Sequence, residues 1–257
     1  MVRYIDRVIK KNDPMAKKQR DNDFIWSWFD NNLDLDTRTI YMGSISKNWD
    51  DYETGVDNFM AEFFIKGMHL LESRGGDKEI TIIMNNPGGD WYHGMAIYDC
   101  IKNSSCHCTI RVFGHAMSMG SIILQSADSR IMMPSSRFMI HYGYNGNSGH
   151  TKIFERWADE GKRINYDMEN IYLDKIMEKE EEIGNGHIGK ILSGIVNKQR
   201  ELEVPRPQEV AYKFSRNLGT KREEIRAILK ELLNFDTILT PEETVSLGLA
   251  DGIFSQE

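Results

Sequence analysis

The sequence predicts an α/β fold on a largely parallel sheet, and three observations predict it. Apolar, β-branched runs alternate with amphipathic stretches several times between residues 79 and 143, the order that βαβ units produce. The breaks between these runs fall on Gly, Pro, Asn and Ser, the residues that end strands and cap helices. One helical pattern then runs unbroken from 151 to 180, about 45 Å at 1.5 Å per residue.

Taken in order, residues 1–23 are polar, charged and without period, and are expected to form a flexible N-terminal arm. The aromatic run FIWSWF at 24–29 is expected to dock on its own core or on a neighbouring subunit. Residues 37–45 read as a strand closing on a Gly turn. Val56, Phe59, Met60, Phe63, Phe64 and Met68 recur at helical spacing within 53–73, and Arg74-Gly75-Gly76 ends that helix. The run at 79–85 is continuously apolar and suits a strand buried on both faces. Asn86-Pro87-Gly88-Gly89 breaks it, and 92–102 reads as helix.

Residues 108–114 read as strand, 118–127 as helix, and 129–134 and 137–143 as two further strands. In the long pattern at 151–180, Ile153, Trp157, Ile164, Met168, Ile171, Tyr172 and Ile176 form the apolar stripe, and the opposite face is heavily charged. Such a helix exceeds what a domain of this size buries alone, so an arm packing on another subunit is expected. Residues 181–219 carry Gly184, Gly186, Pro205 and Pro207 between short helical patches and read as an insertion. Thr220 with Glu223 forms a capping box, Thr240-Pro241-Glu242-Glu243 opens the last helix, and Gly248 closes it. Residues 24–257 are expected to form a single domain.

The 257 residues carry a formal net charge of -7. A mildly acidic surface disfavours nucleic acid and anionic membrane as partners. No apolar run approaches the roughly 20 residues that span a bilayer, and the N-terminus has no apolar secretion core. A cytoplasmic protein is expected. Three cysteines, Cys100, Cys106 and Cys108, fit a reducing compartment. Cys106-His107-Cys108 lacks a second ligand pair at workable spacing, so neither metal nor cofactor is expected.

Four places can carry chemistry. Ser118 falls where a strand gives way to a helix, among Gly114, Ala116, Gly120 and Ser121. There the first backbone N–H groups of the helix point outward and favour a developing oxyanion. Taken alone, Ser118 reads more readily as a plain helix N-cap. The Pro87-Gly88-Gly89 turn follows a strand and precedes a helix, so it lies at the carboxyl edge of the sheet, where ligands of open α/β folds bind. Alone it is a simple turn; with Ser118, the N–H groups of Gly89 and Met119 make a two-donor oxyanion hole. His141 ends a strand, and alone it is also a rim residue. His115 lies nearer to Ser118 in sequence, but before the turn it is expected to point away from the nucleophile. Asp236 stands between apolar residues, where a carboxylate is costly to bury without a partner, and histidine is a natural one.

These residues resemble the Clp protease proteolytic subunit family. The resemblance rests on Asn86-Pro87-Gly88-Gly89, the run 94–99 (GMAIYD), Ala116-Met117-Ser118-Met119-Gly120 and 133–141 (MPSSRFMIH) in that order. It continues in 236–243 (DTILTPEE) and 247–251 (LGLAD). It implies a Clp/crotonase α/β fold with a protruding handle helix at 151–180. Ser118 would be the nucleophile, His141 the general base, Asp236 the orienting acid, and Gly89 and Met119 the oxyanion donors. It further implies a homo-oligomeric ring, a heptamer or stacked heptamers, that takes polypeptide substrates and can dock an ATP-driven (AAA+) unfoldase. The chain departs from the family in the insertion near 181–219, in Asn234-Phe235 before the aspartate, in Tyr142-Gly143 where the family has Gln-Pro, and in its N-terminus. Two other readings stand beside the serine endopeptidase: a crotonase-like acyl-CoA enzyme, and a non-catalytic ring subunit.

Overall fold

The computed structural model describes residues 28, 31–43, 55–75, 78–144, 146, 148–184, 186–202 and 220–255. The expected arm at 1–23, most of the aromatic run after it, and residues 203–219 of the expected insertion lie outside the described residues. Trp28 of the aromatic run stands 6.3 Å from Tyr41, ring centre to ring centre.

One sheet runs through the described chain. Its strands are β1 (Leu33–Asp34), β2 (Thr39–Met42), β3 (Ile80–Asn86), β4 (Cys108–Met117), β5 (Ser129–Met132), β6 (Arg137–Ile140), β7 (Thr237–Leu239) and β8 (Gly252–Ile253). β2, β3, β4 and β5 pair in parallel, as alternating strand and helix patterns predict. Between them run α1 (Asn58–Gly75), α2 (Trp91–Lys102) and α3 (Met119–Leu124). The core sits where Ile80, Ile82 and Met84 of β3 and Ile110 and Val112 of β4 meet Met68, Ile97, Ile122 and Ile123 of the helices. β3 was expected to be buried on both faces. It alternates instead: Ile80, Ile82, Met84 and Asn86 are buried, while Thr81, Ile83 and Asn85 are only half covered.

β4 decides where the chemistry sits. The sequence places its end at Gly114, but the strand continues to Met117. Gly114 is the bend: its φ of 71° belongs to the left-handed region that only glycine enters cheaply. Before the bend Thr109–Val112 pairs with β5; after it His115–Met117 pairs with β6. The strand therefore leaves one neighbour for another, and its second half carries the chain to Ser118. The helix expected at 118–127 is shorter, Met119–Leu124.

α4 (Thr151–Ile183) is the long helix, 33 residues or about 50 Å. Residues 151–159 are exposed on every side, whereas Met168, Tyr172, Leu173 and Ile176 are buried. The helix thus protrudes at its start and is packed at its end. Its charged face is not all solvated: Glu169 and Glu180 are buried. The covering comes from α5 (His187–Leu202) and α6 (Lys221–Leu233), which pack on α4 and on each other. In place of short helical patches, the described part of the expected insertion is this one 16-residue helix. Its apolar side chains Ile188, Leu192, Ile195 and Val196 are buried. The Thr220 capping box opens α6, and the Thr240 box opens α7 (Pro241–Ser246), both as the sequence indicates.

Glu180 joins the three helices. Its carboxylate accepts from the backbone N–H groups of Gly186 and Ile188, each at 2.8 Å, and from Lys221 of α6. Burial alone pushes this carboxyl up, but the hydrogen bonds from Lys221, Ile188 and Gly186 together hold it below its ordinary 4.5. A depressed folded-state value means that its stabilisation is present above the ordinary carboxylate range and is lost as pH falls through it. Glu180→Gln is expected to cost about 2–3 kcal/mol at pH 7, the worth of charge-assisted bonds left weakened in a buried site. The gap in Tm between wild type and variant should narrow below about pH 4. Calorimetric melts at the two pH values check it; a gap that does not change with pH contradicts it.

Candidate active site

Strand register brings residues 118, 141 and 236 together. β6 and β7 pair antiparallel with Ile140 opposite Thr237. One step further along both strands, His141 faces Asp236. β4 and β6 pair in parallel with Met117 opposite Met139, and the N–H of Ser118 donates to the Met139 carbonyl at 3.0 Å. This sets the end of β4 beside the end of β6. The N–H of Tyr142 donates to the Leu233 carbonyl at 2.8 Å, which ties the end of β6 to the end of α6.

The side chains complete the line. His141 Nδ1 lies 2.8 Å from Asp236 Oδ1, and His141 Nε2 lies 2.8 Å from Ser118 Oγ. A carboxylate only accepts, so Nδ1 carries the proton and donates it to Asp236. Nε2 is then the acceptor, and the Ser118 hydroxyl donates to it. The imidazole is 13% exposed and the aspartate side chain 60%. Asp236 was expected to be buried; it instead reaches in from the rim, where the turn before β7 is open to water. Tyr144, 93% exposed, stands edge-on to the imidazole at 6.2 Å.

Ser118 has φ 50° and ψ -123°, a conformation outside the ordinary wells of an L-residue. Strain of this kind persists where surrounding structure over-determines it, as at the nucleophile elbow of hydrolases. A Cβ on Gly88, whose own φ is 110°, would sit 2.5 Å from Ser118 Cβ. The Pro87-Gly88-Gly89 turn therefore lies directly against the serine. Gly89 forms an isolated parallel bridge with Val56, in which Val56 N–H donates to Gly88 O and Asp90 N–H donates to Val56 O. That pairing leaves the N–H of Gly89 itself outside the bridge. The N–H of Met119, first residue of α3, has no acceptor within its own helix. α3 has only six residues, so its dipole is small and the individual amides matter more.

Gly89, Ser118, Met119 and His141 line one groove of about 970 Å³, walled by Trp91, Tyr92, Phe154 and Trp157. That is the upper end of ordinary ligand sites. His115, the histidine nearer to Ser118 in sequence, pairs in β4 opposite Arg137 of β6, while the Ser118 hydroxyl meets His141. His107 faces Ser129 Oγ at 2.9 Å. Burial pushes the thiols of Cys100 and Cys108 up to about 11.

Some of the site was not legible from residue types. Tyr142 stood out only as a departure at the position after the histidine. In the structure its hydroxyl donates to Glu169 Oε1 at 2.7 Å, and burial, then this carboxylate, pushes the phenol up. Ser121, a small residue near the turn, donates to the Ser118 carbonyl at 2.6 Å. A carboxylate three residues from a buried tyrosine in the long helix was the available signal for the first.

The sequence model of the Clp protease family matches residues 51–187. That is just over half of the chain and takes in Gly89, Ser118, Met119 and His141, while Asp236 lies beyond it. The ATP-dependent Clp protease proteolytic subunit of Deinococcus radiodurans is 36% identical over 121 residues, covering 46% of this chain and 59% of that protein. The chain thus matches about three-fifths of the length of that curated relative.

Proposed function

The chain belongs to the Clp protease family, and on that premise we propose that it is a serine endopeptidase acting through an acyl-enzyme on Ser118. The observation that carries the proposal is the unbroken line of two 2.8 Å contacts from Ser118 through His141 to Asp236. As the Ser118 oxygen attacks the scissile carbonyl carbon, His141 Nε2 takes the hydroxyl proton. Asp236 holds the imidazole in the tautomer that can accept it and stabilises the imidazolium. The carbonyl oxygen becomes an oxyanion and accepts from the N–H groups of Gly89 and Met119. On collapse, His141 passes its proton to the leaving amine, and the C–N bond breaks. Water, deprotonated by the same imidazole, then attacks the ester carbonyl; the C–Oγ bond breaks, His141 returns the proton to Ser118 Oγ, and the acid leaves. No metal or cofactor takes part in any step.

The substrate reading follows from the groove. Aromatic walls beside the serine suit an extended polypeptide whose side chains settle between them. The assembly reading is a homo-oligomeric ring, a heptamer or stacked heptamers, with an AAA+ unfoldase as possible partner. It is supported by the protruding start of α4, where Ile153, Phe154 and Trp157 are exposed, and by the proteolytic-subunit name of the relative. Neither nucleic acid nor membrane has a place in it. Among the described residues no helix is long and apolar enough to cross a membrane. The purified chain, sized under native conditions, is expected to run as a multiple of 29.7 kDa and to cleave short fluorogenic peptides without nucleotide. An assembled sample that leaves such peptides intact would overturn the peptidase reading.

A further inference from the structure

We infer that one turn of α4, carrying Glu169 and Tyr172, positions all three groups of the proposed triad together with the Met119 amide. This rests on the peptidase reading above. Neither residue needs to touch substrate. Three positions apart, they share one face of the helix, and both are buried.

Tyr172 acts on the oxyanion side. Ser121 Oγ lies 2.6 Å from the Ser118 carbonyl and 2.6 Å from the Tyr172 hydroxyl. A serine hydroxyl has one proton to give, and a carbonyl only accepts. Ser121 therefore donates to Ser118 O, and Tyr172 donates to Ser121. Burial pushes the Tyr172 phenol well above its ordinary value, against a smaller pull from Ser121, so that proton stays in place. The Ser118 carbonyl and the Met119 N–H belong to one planar peptide and point in opposite directions. Fixing the carbonyl fixes the amide. The N–H groups of Ser121 and Ile122 also reach that carbonyl, at 2.9 and 3.4 Å, but Ser121 Oγ is the shortest of the three. The strained backbone at Ser118 makes the orientation of this peptide depend on such contacts.

Glu169 acts on the base side. Its Oε1 accepts from Tyr142, the residue after His141, and its Oε2 accepts from Arg226 at 3.0 Å, with Lys230 at 3.5 Å. Arg226 and Lys230 lie on α6, whose end receives the Tyr142 N–H and leads three residues later to Asp236. Both partners of the His141–Asp236 contact are thus referred to one carboxylate.

Four variants test it, read as kcat and KM on a short fluorogenic peptide beside Tm, each in the native assembly. Ser121→Ala and Tyr142→Phe are each expected to lower kcat about tenfold with KM within about twofold, the mark of lost transition-state alignment. Tyr172→Phe is expected to lower kcat about threefold, because Ser121 still reaches the carbonyl. The double variant Ser121→Ala/Tyr172→Phe should regain Tm relative to Ser121→Ala, having removed an orphaned hydroxyl, yet recover no kcat. A kcat within twofold of wild type in Ser121→Ala and Tyr142→Phe, with only Tm moved, overturns the inference. A wild type that cleaves no peptide sinks the peptidase reading first and the inference with it; an active wild type with unaltered variants sinks the inference alone.

Discussion

Ser118→Ala is expected to lower peptide hydrolysis about a millionfold, the scale on which removing a triad nucleophile acts. The fold should not follow it down. Alanine keeps the Cβ that already packs on Gly88, and it meets the same backbone strain at φ 50° that serine meets. The N–H of residue 118 still donates to Met139. Among the described residues, neither Ser121 nor Ser129 can take over the attack. Ser121 is buried and its one proton is committed to the Ser118 carbonyl; Ser129 lies at the far end of β5, facing His107. The measurement is kcat on a short peptide, with native mass and circular dichroism alongside. Retained activity above about one per cent of wild type in a correctly assembled variant contradicts a covalent role for this residue.

Asp236→Asn is expected to lower kcat about ten-thousandfold, with little change in KM. The reason is the tautomer. The carboxylate can only accept, which keeps the imidazole proton on Nδ1 and leaves Nε2 to accept from Ser118. An amide at the same place can turn its NH₂ toward Nδ1 and hold the proton on Nε2 instead, which removes the base from its task. Exposure of the aspartate does not weaken this argument, because the 2.8 Å contact is set by the β6–β7 register rather than by the surroundings of the carboxylate. Steady-state kinetics on the variant check it. A kcat within tenfold of wild type would remove Asp236 from the reaction and leave a serine–histidine pair.

The α/β class and most elements were legible because β-branched runs, helical periods and capping residues state them locally. The two capping boxes are cases: Thr220 with Glu223 and Thr240 with Glu243 are self-contained signals. Gly114 misled, because glycine ends strands more often than it bends them, and only the switch of partners from β5 to β6 shows the second use. Helical period gave the long helix a charged face opposite its apolar stripe, but it did not show that Glu169 and Glu180 are buried. Their burial depends on packing from α5 and α6, which a period read within 151–180 does not report. The candidate site was legible residue by residue, through the order of its motifs, but its linkage was not. Nothing local in Tyr142 or Ser121 says that their hydroxyls meet Glu169 and Tyr172 of the long helix, since those two contacts span 27 and 51 residues.

The nucleophilic role of Ser118 is tested most directly by locating the adduct of a fluorophosphonate on the assembled protein. Tryptic digestion places Ser118, Ser121, Ser126 and Ser129 together in the peptide 112–130, and fragment masses separate them. The expected result is one phosphonyl group on Ser118, absent from His141→Ala. An adduct on another serine of that peptide, or none on a sample that cleaves peptides, would contradict it.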